Sequence, residues 1–321
     1  MMKTTSKPAD VSAEAIRFGV EIETMVPASA GLTIGSYHGG RAVVHATALD
    51  GSQVTAPVFG GRYWKAERDG SIQVEPGFAP CEFVSPILHG EAGIQALREF
   101  VRFARAIGAK VNASCGLHVT VGVPSVIGTA ETPQVAAFVR KLVHFAKQNA
   151  WAIYAQTGTD RHLNHYAHQL ADGVAGNLAK MCRAGSATQA SILAEDCGRG
   201  MVNLRKAFAG ANGAIEFRAF AGTLNEFKVL HHVATALGLM RRAAVAKVVG
   251  RFQKSPKKNR AADAVAALRR LWRVLGWCDA TECQPVALGL FGALHAEFGQ
   301  YRATALEMAA KFEERFPNAN L

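Results

Sequence analysis

Acidic residues are scarce in this chain: 25 Asp and Glu stand against 36 Lys and Arg, a formal net charge of +11 over 321 residues. That excess excludes an acidic, solvating chain and favours anionic partners such as nucleotides, nucleic acid or acidic peptides. No apolar run approaches the ~20 residues that cross a bilayer, so no membrane-spanning helix is expected. The opening "MMKTTSKPADVSAEA" has no apolar signal core and reads as a disordered leader over residues 1–15. Six cysteines occur, none in a C-x-x-C pair, which argues against a zinc ribbon or a thioredoxin-like site. Without a secretory signal, reduced thiols and a cytoplasmic location are expected. Neither a Walker A sequence nor G-x-G-x-x-G is present, so the common glycine-rich phosphate loops are excluded.

What is present is a 49% hydrophobic chain, enough to fill a core. Strand signals dominate its first third. "RFGVEIET" (17–24) alternates, residues 31–60 read as a hairpin with a loose tip at "YHGGR", and "YWKAE" and "SIQVE" flank a Asp-Gly turn. "CEFVSPIL" (81–88) and "GLHVTVGVP" (116–124) are further strands. Ile94, Leu97, Val101 and Ala104 form one stripe of a helix capped near Gly108. A long helix starts at Thr132 as N-cap and Pro133, and runs through "WAIYA". A helix is expected at about 170–182. "MVNLRKAF" and "GAIEFRAF" read as two strands, followed by a helix capped by Asn225. "GRFQKSPKKNRAAD" is a basic break, giving a linker at 251–260, and only helices follow it, near 261–276, 285–297 and 299–315. The domain reading is therefore a mixed α+β unit over 16–250, mostly antiparallel, and a helical region over 261–321.

The chemistry-bearing residues sit on these strands. Glu21 and Glu23 are two apart and share a strand face. Two carboxylates in an apolar strand repel each other and are costly to bury, so something positive belongs beside them. Glu82, His118, Glu216 and Arg218 lie in equally apolar strands, and Asp69 stands on the Asp-Gly turn. Each has a plain structural reading: a solvated strand face, an edge carboxylate, a core histidine, an ion pair, a turn former. Taken together they describe a sheet face able to hold Mg²⁺ or Mn²⁺, which bind carboxylates plus substrate phosphates, next to an arginine suited to a phosphate. Cys115 precedes His118 by three positions, so on a strand the two face opposite ways and do not make a thiol–imidazole pair. His162, His165 and His168 recur every third residue and read as a solvated helix face in preference to a separate metal site.

"FGVEIE", "W…DGSI…EFVSPIL", "CGLHVTV" and "NLRKAF…IEFRAFAGTLN", in that order, resemble the amidoligases of the carboxylate–amine ligase superfamily, whose better-known members are glutamine synthetase and glutamate–cysteine ligase. The resemblance covers about residues 16–245. It implies a glutamine-synthetase-like curved antiparallel sheet with helices on its outer face. It implies ATP and Mg²⁺ (or Mn²⁺), a small-molecule or peptide carboxylate, an amine acceptor, and an amide or isopeptide bond formed through an acyl phosphate. It further implies metal ligation by Glu21, Glu23, Asp69, Glu82, His118 and Glu216. Asp69 and Glu82 would complete one ion's shell, while His118 and Glu216 would join Glu23 at the other. Arg218 would neutralise the transferring phosphoryl, and Arg161, Tyr166 and Asn203 would contact nucleotide or substrate. The chain departs from G-L-H-V-H in having Thr120 at the second histidine, on the same face as His118. Two other readings stand beside the ligase: a metal-dependent hydrolase on the same carboxylate–His site, and a basic protein that binds nucleic acid or an acidic partner through "KSPKKNR" and the C-terminal helices. Those helices could also serve the ligase by recognising a macromolecular substrate.

Overall fold

A computed structural model describes residues 15–170, 198–246, 264–275 and 298–317, with isolated positions at 180, 183, 186–190 and 277. The strands are β1 (Phe18–Pro27), β2 (Arg41–Ala42), β3 (His45–Thr47), β4 (Gln53–Thr55), β5 (Val58–Phe59), β6 (Arg62–Tyr63), β7 (Lys65–Glu67), β8 (Phe78–Val84), β9 (Gly116–Gly122), β10 (Val202–Asn203) and β11 (Ala214–Ala221). The helices are α1 (Gly90–Ala106), α2 (Val123–Ile127), α3 (Thr132–Gln148), α4 (Ala150–Ala155), α5 (Glu226–Val245), α6 (Ala264–Leu275) and α7 (Phe298–Arg315). Seven strands form one sheet in the order β10-β11-β9-β1-β8-β7-β2, and every pairing between them is antiparallel. Among the described residues no helix is long and apolar enough to cross a membrane.

Alternation splits this sheet into two unlike faces. Val20 and Ile22 of β1, Leu117 and Val119 of β9, Phe83 of β8 and Phe217 of β11 point to one side and are buried. Helices cover that side. The predicted stripe of α1 is buried throughout, and Phe100 from the same helix stacks on Trp64 at 3.7 Å and meets Phe83 edge-on at 5.1 Å. Truncating such a ring costs ~3–5 kcal/mol. Asn225 caps α5 by accepting from the Lys228 backbone N–H at 3.1 Å, as its position before the helix predicts. The helices α6 and α7 of the C-terminal region pack on α4 and α5. Leu268, Leu271, Trp272 and Phe312 join the same core cluster as the sheet.

Local expectations fared unequally. The hairpin at 31–60 is centred instead on Asp50–Gly51, where β3 pairs with β4 and Asp50 Oδ1 accepts from the Ser52 N–H. "SIQVE" is not a strand. Asp69 Oδ1 captures the Ser71 N–H at 2.7 Å, which turns the chain and drops Ile72 into a small cluster with Met25 and Cys115. Thr132 is the first helical residue rather than the cap, which is Glu131. The long helix stops at Asn149, whose side chain bonds back to the Phe145 carbonyl at 2.8 Å, and α4 begins anew. Of "MVNLRKAF" only Val202–Asn203 is paired. The spaced histidines are not one helix face: residues 161–163 make a single 3-10 turn. His162 is buried between Tyr154, Phe312 and Phe316, and His168 pairs with Gly200. The helix at 170–182, the basic linker, the helix at 285–297 and the 1–15 leader fall outside the described residues, apart from scattered positions.

Candidate active site

The opposite sheet face carries the acids. Antiparallel partners point the same way, and the register sets Glu23 beside Glu82, Glu82 beside Glu67, Glu21 beside His118, Glu216 beside Thr120 and Asn203 beside Glu216. Side chains from β1, β8 and β11 thus converge on His118 of β9, which is only 2% exposed. Its Nδ1 lies 3.3 Å from Glu21 Oε2, 3.4 Å from Glu216 Oε1 and 3.9 Å from Glu82 Oε1. Its Nε2 lies 3.5 Å from Glu23 Oε1. Burial pulls the His118 pKa down, but the hydrogen bond to Glu21 and the charge of Glu23 more than offset it, and the net direction is up. For Glu21 burial raises the pKa, and His118 reverses that to a net lowering. At Glu82 the charge of His118 is outweighed: burial first, then the charge of Glu21, pushes its carboxyl up to about 8.

Two basic groups fix the rest. Arg218 Nη1 donates to Glu216 Oε1 at 2.6 Å and Arg218 Nε to the Tyr166 carbonyl at 3.0 Å. Asn203 Nδ2 donates to Glu216 Oε2 at 2.7 Å, so Glu216 is held from both sides. Arg161 is 4% exposed. Its Nη2 reaches to 3.4 Å from His118 Nε2, its Nε donates to the Arg218 carbonyl at 3.3 Å, and burial lowers its pKa against the opposing charge of Glu23. The positive partner that two neighbouring glutamates require is therefore supplied within the chain by His118 and Arg161.

Two sets of three donors have ligating atoms within 4.8 Å of one another: Glu21, His118 and Glu216, and Glu23, Glu82 and His118. Carboxylate oxygens with one imidazole suit Mg²⁺ or Mn²⁺. A neutral imidazole nitrogen offers one lone pair, so the sets compete for His118, and carboxylates must dominate around a second ion. The grouping differs from the one implied by resemblance: Glu21 joins His118 and Glu216, and Glu23 joins His118 and Glu82. Asp69 lies on the loop after β7, half-buried; its charge reaches Glu82, but it is in neither set. Tyr166 meets the site through its backbone, and its ring lies under the Arg199 guanidinium at 5.5 Å.

Three residues escaped the reading of the sequence. Glu67, on β7, continues the acidic row. Lys206 is exposed, yet its charge acts on Glu21; "NLRKAF" contains it, with no spacing rule to single it out. Gly116 faces Arg161 and has no side chain to announce it. Cys81 and Cys115 are free and buried. Burial raises both thiol pKa values, which leaves neither as a ready nucleophile.

No curated protein matches the chain. The family model described as "Putative amidoligase enzyme" matches residues 14–240, and the chain belongs to that amidoligase family.

Proposed function

We propose that the chain is an ATP- and divalent-metal-dependent ligase that joins a carboxylate to an amine. The observation that carries this reading is the convergence of four carboxylates on His118, with Arg218 tied to one of them. A substrate carboxylate oxygen attacks the γ-phosphorus of ATP, the bond to the β–γ bridging oxygen breaks, and ADP leaves with an acyl phosphate remaining. The amine nitrogen then attacks the acyl carbon, inorganic phosphate departs, and the nitrogen loses a proton to give the amide or isopeptide. Glu21, Glu23, Glu82, His118 and Glu216 would hold Mg²⁺ or Mn²⁺, which supplies charge neutralisation for the phosphates.

The chain's own residues have separate tasks. Arg218 presents a guanidinium to the transferring phosphoryl, and its ties to Glu216 and the Tyr166 carbonyl preset its direction. Asn203 holds Glu216 in place. Arg161, buried behind His118, acts on Glu23 and the imidazole rather than on nucleotide directly. Asp69, whose charge reaches Glu82, would join the acids through water. No nucleophilic side chain is needed.

Calorimetric titration with a non-hydrolysable ATP analogue tests the reading, run with Mg²⁺, with EDTA, and on Glu216→Ala. Binding that needs Mg²⁺ and is lost in the variant is expected. A folded protein that binds no analogue in any condition would sink it.

A further inference from the structure

The imidazole of His118 divides the four acids around it unequally. Glu21, Glu216 and Glu82 approach its Nδ1, at 3.3, 3.4 and 3.9 Å. Of the four, only Glu23 approaches Nε2, at 3.5 Å. Arg161 stands on that same side, with its Nη2 3.4 Å from Nε2. The two sides also differ in access. Glu21 exposes 32% of its side chain and Glu23 only 6%. An ion that enters from solvent therefore meets the Nδ1 side first.

The Nε2 side is already filled and already neutral. One oxygen of Glu23 accepts from the Gly116 N–H, and the charge of Glu23 opposes the effect of burial on the Arg161 guanidinium. Arg161 is anchored through Nε to the Arg218 carbonyl, and it fills the room that Gly116 leaves. A guanidinium only donates and always carries its charge. It can offset a carboxylate, but it cannot share a metal with one. The three-donor set of Glu23, Glu82 and His118 thus has a fixed cation at its side. The set of Glu21, His118 and Glu216 lies across the ring from it.

Charge decides how many ions this arrangement can take. On the Nδ1 side three carboxylates face one guanidinium, because Arg218 bonds Glu216 at 2.6 Å. With all three ionised, two negative charges remain, and one divalent ion cancels them. On the Nε2 side Glu23 and Arg161 cancel each other. A second divalent ion would leave two positive charges in excess around a ring that is buried. Uncompensated charge withdrawn from water is costly, and the guanidinium would repel the ion directly.

We propose that the nucleotide-free site takes a single divalent ion, on the Nδ1 side of His118, and that Arg161 stands where a second ion would otherwise serve Glu23. Glu23 is then a positioning residue. Held by Gly116 and Arg161, it faces the other nitrogen of the ring, as carboxylates behind metal-bound histidines do. The proposal rests on the metal-dependent reading of the site and fixes its ion count. The test titrates Mn²⁺ into the full chain without nucleotide and follows the electron paramagnetic resonance signal of the free ion. The wild type, Glu21→Gln and Arg161→Met are compared, each checked by circular dichroism. The wild type should bind one Mn²⁺ per chain. Glu21→Gln should weaken that ion roughly tenfold or more, the loss of one charged ligand. Arg161→Met should bind two, with the spectral broadening of a coupled pair. Should Arg161→Met not fold, the wild-type count and Glu21→Gln still decide. Two ions in the wild type, one ion in a folded Arg161→Met, or undiminished affinity in Glu21→Gln would each overturn this proposal and leave the metal reading standing. No Mn²⁺ bound to a folded wild type would sink the metal reading itself, and the proposal with it.

Discussion

The guanidinium of Arg161 occupies the space that a side chain on Gly116 would fill. A Cβ there would overlap Nη2 and stand 3.0 Å from both Arg161 Cζ and His118 Nε2. Gly116 also gives its backbone N–H to the Glu23 carboxylate. One glycine at the start of β9 therefore decides how closely Arg161, His118 and Glu23 approach each other.

Gly116→Ala should accordingly damage the site from beneath. The buried guanidinium, tied to the Arg218 carbonyl, must shift to admit a Cβ, and overpacking of this kind costs ~1–3 kcal/mol. The urea midpoint should fall, and Mg²⁺ affinity should fall with it because His118 and Glu23 lose their alignment. A variant with wild-type stability and wild-type Mg²⁺ affinity would show that Arg161 can move aside freely.

A second prediction concerns protons. With no ion bound, Glu82 keeps its proton at pH 7, since burial and Glu21 push its carboxyl up to about 8. A divalent ion takes carboxylate, not carboxylic acid, so binding must expel that proton. Calorimetric heats of Mg²⁺ binding at pH 7 should vary with the ionisation enthalpy of the buffer, and affinity should rise as pH is raised through 8. Glu82→Gln should abolish both effects. The stability sign follows from the same shift. The folded value lies above the ordinary 4.5, so the contribution is full below pH 4.5 and is lost as pH rises through about 8. Metal-free protein should thus be less stable at pH 9 than at pH 7, with Mg²⁺ narrowing the difference.

The C-terminal helices yield a third. Phe312 is fully buried, edge-on to Trp151 at 5.0 Å and to His162 at 5.3 Å. Arg315 Nη1 donates to the Gly158 carbonyl at 3.0 Å. These contacts make α7 part of the wall behind the segment that carries Arg161. Phe312→Ala should cost ~3–5 kcal/mol, read by chemical denaturation. Deleting residues 251–321 should expose Trp151 and Trp272's former neighbours on α5, giving an aggregation-prone chain in place of an independent ligase unit. A truncated protein that remains monomeric and melts like the full chain would refute this.

How much of this could be read from the sequence depended on the kind of residue. Glu21, Glu23, Glu82, His118 and Glu216 were legible because each is a costly group in an apolar, alternating strand, and a period of two fixes which neighbours share its face. Their pairing was not legible, because register depends on partner strands far along the chain. That is why the register match of Glu21 with His118 could not be foreseen. Glu67 was overlooked since Lys65, two positions earlier on the same strand face, is exposed, so the acid carries no sign of burial. Gly116 carries no signal at all until Arg161, 45 positions later by numbering, packs onto it. Turns chosen by local side-chain capture, as at Asp50 and Asp69, overrode the strand patterns at 31–60 and 71–75.

The last prediction lies away from the acids. His231 on α5 is wholly buried beside Trp272 and Trp277, and His232 stacks on Phe220 at 4.6 Å. Burial drives the His231 pKa from 6.5 down to about 4, and burial, then His231 and Lys228, takes His232 well below its ordinary value. Here the folded value lies below the unfolded one. Stability is therefore full above pH 6.5 and is lost as pH falls toward 4, because the unfolded chain takes up protons that the folded one refuses. For His231 alone the loss amounts to roughly 3 kcal/mol. Denaturation midpoints measured from pH 7.5 to pH 4.5 should fall steeply in the wild type and less in His231→Leu. Parallel curves for the two proteins would mean that the imidazole charges within the fold, and that water reaches the seam between α5 and α6.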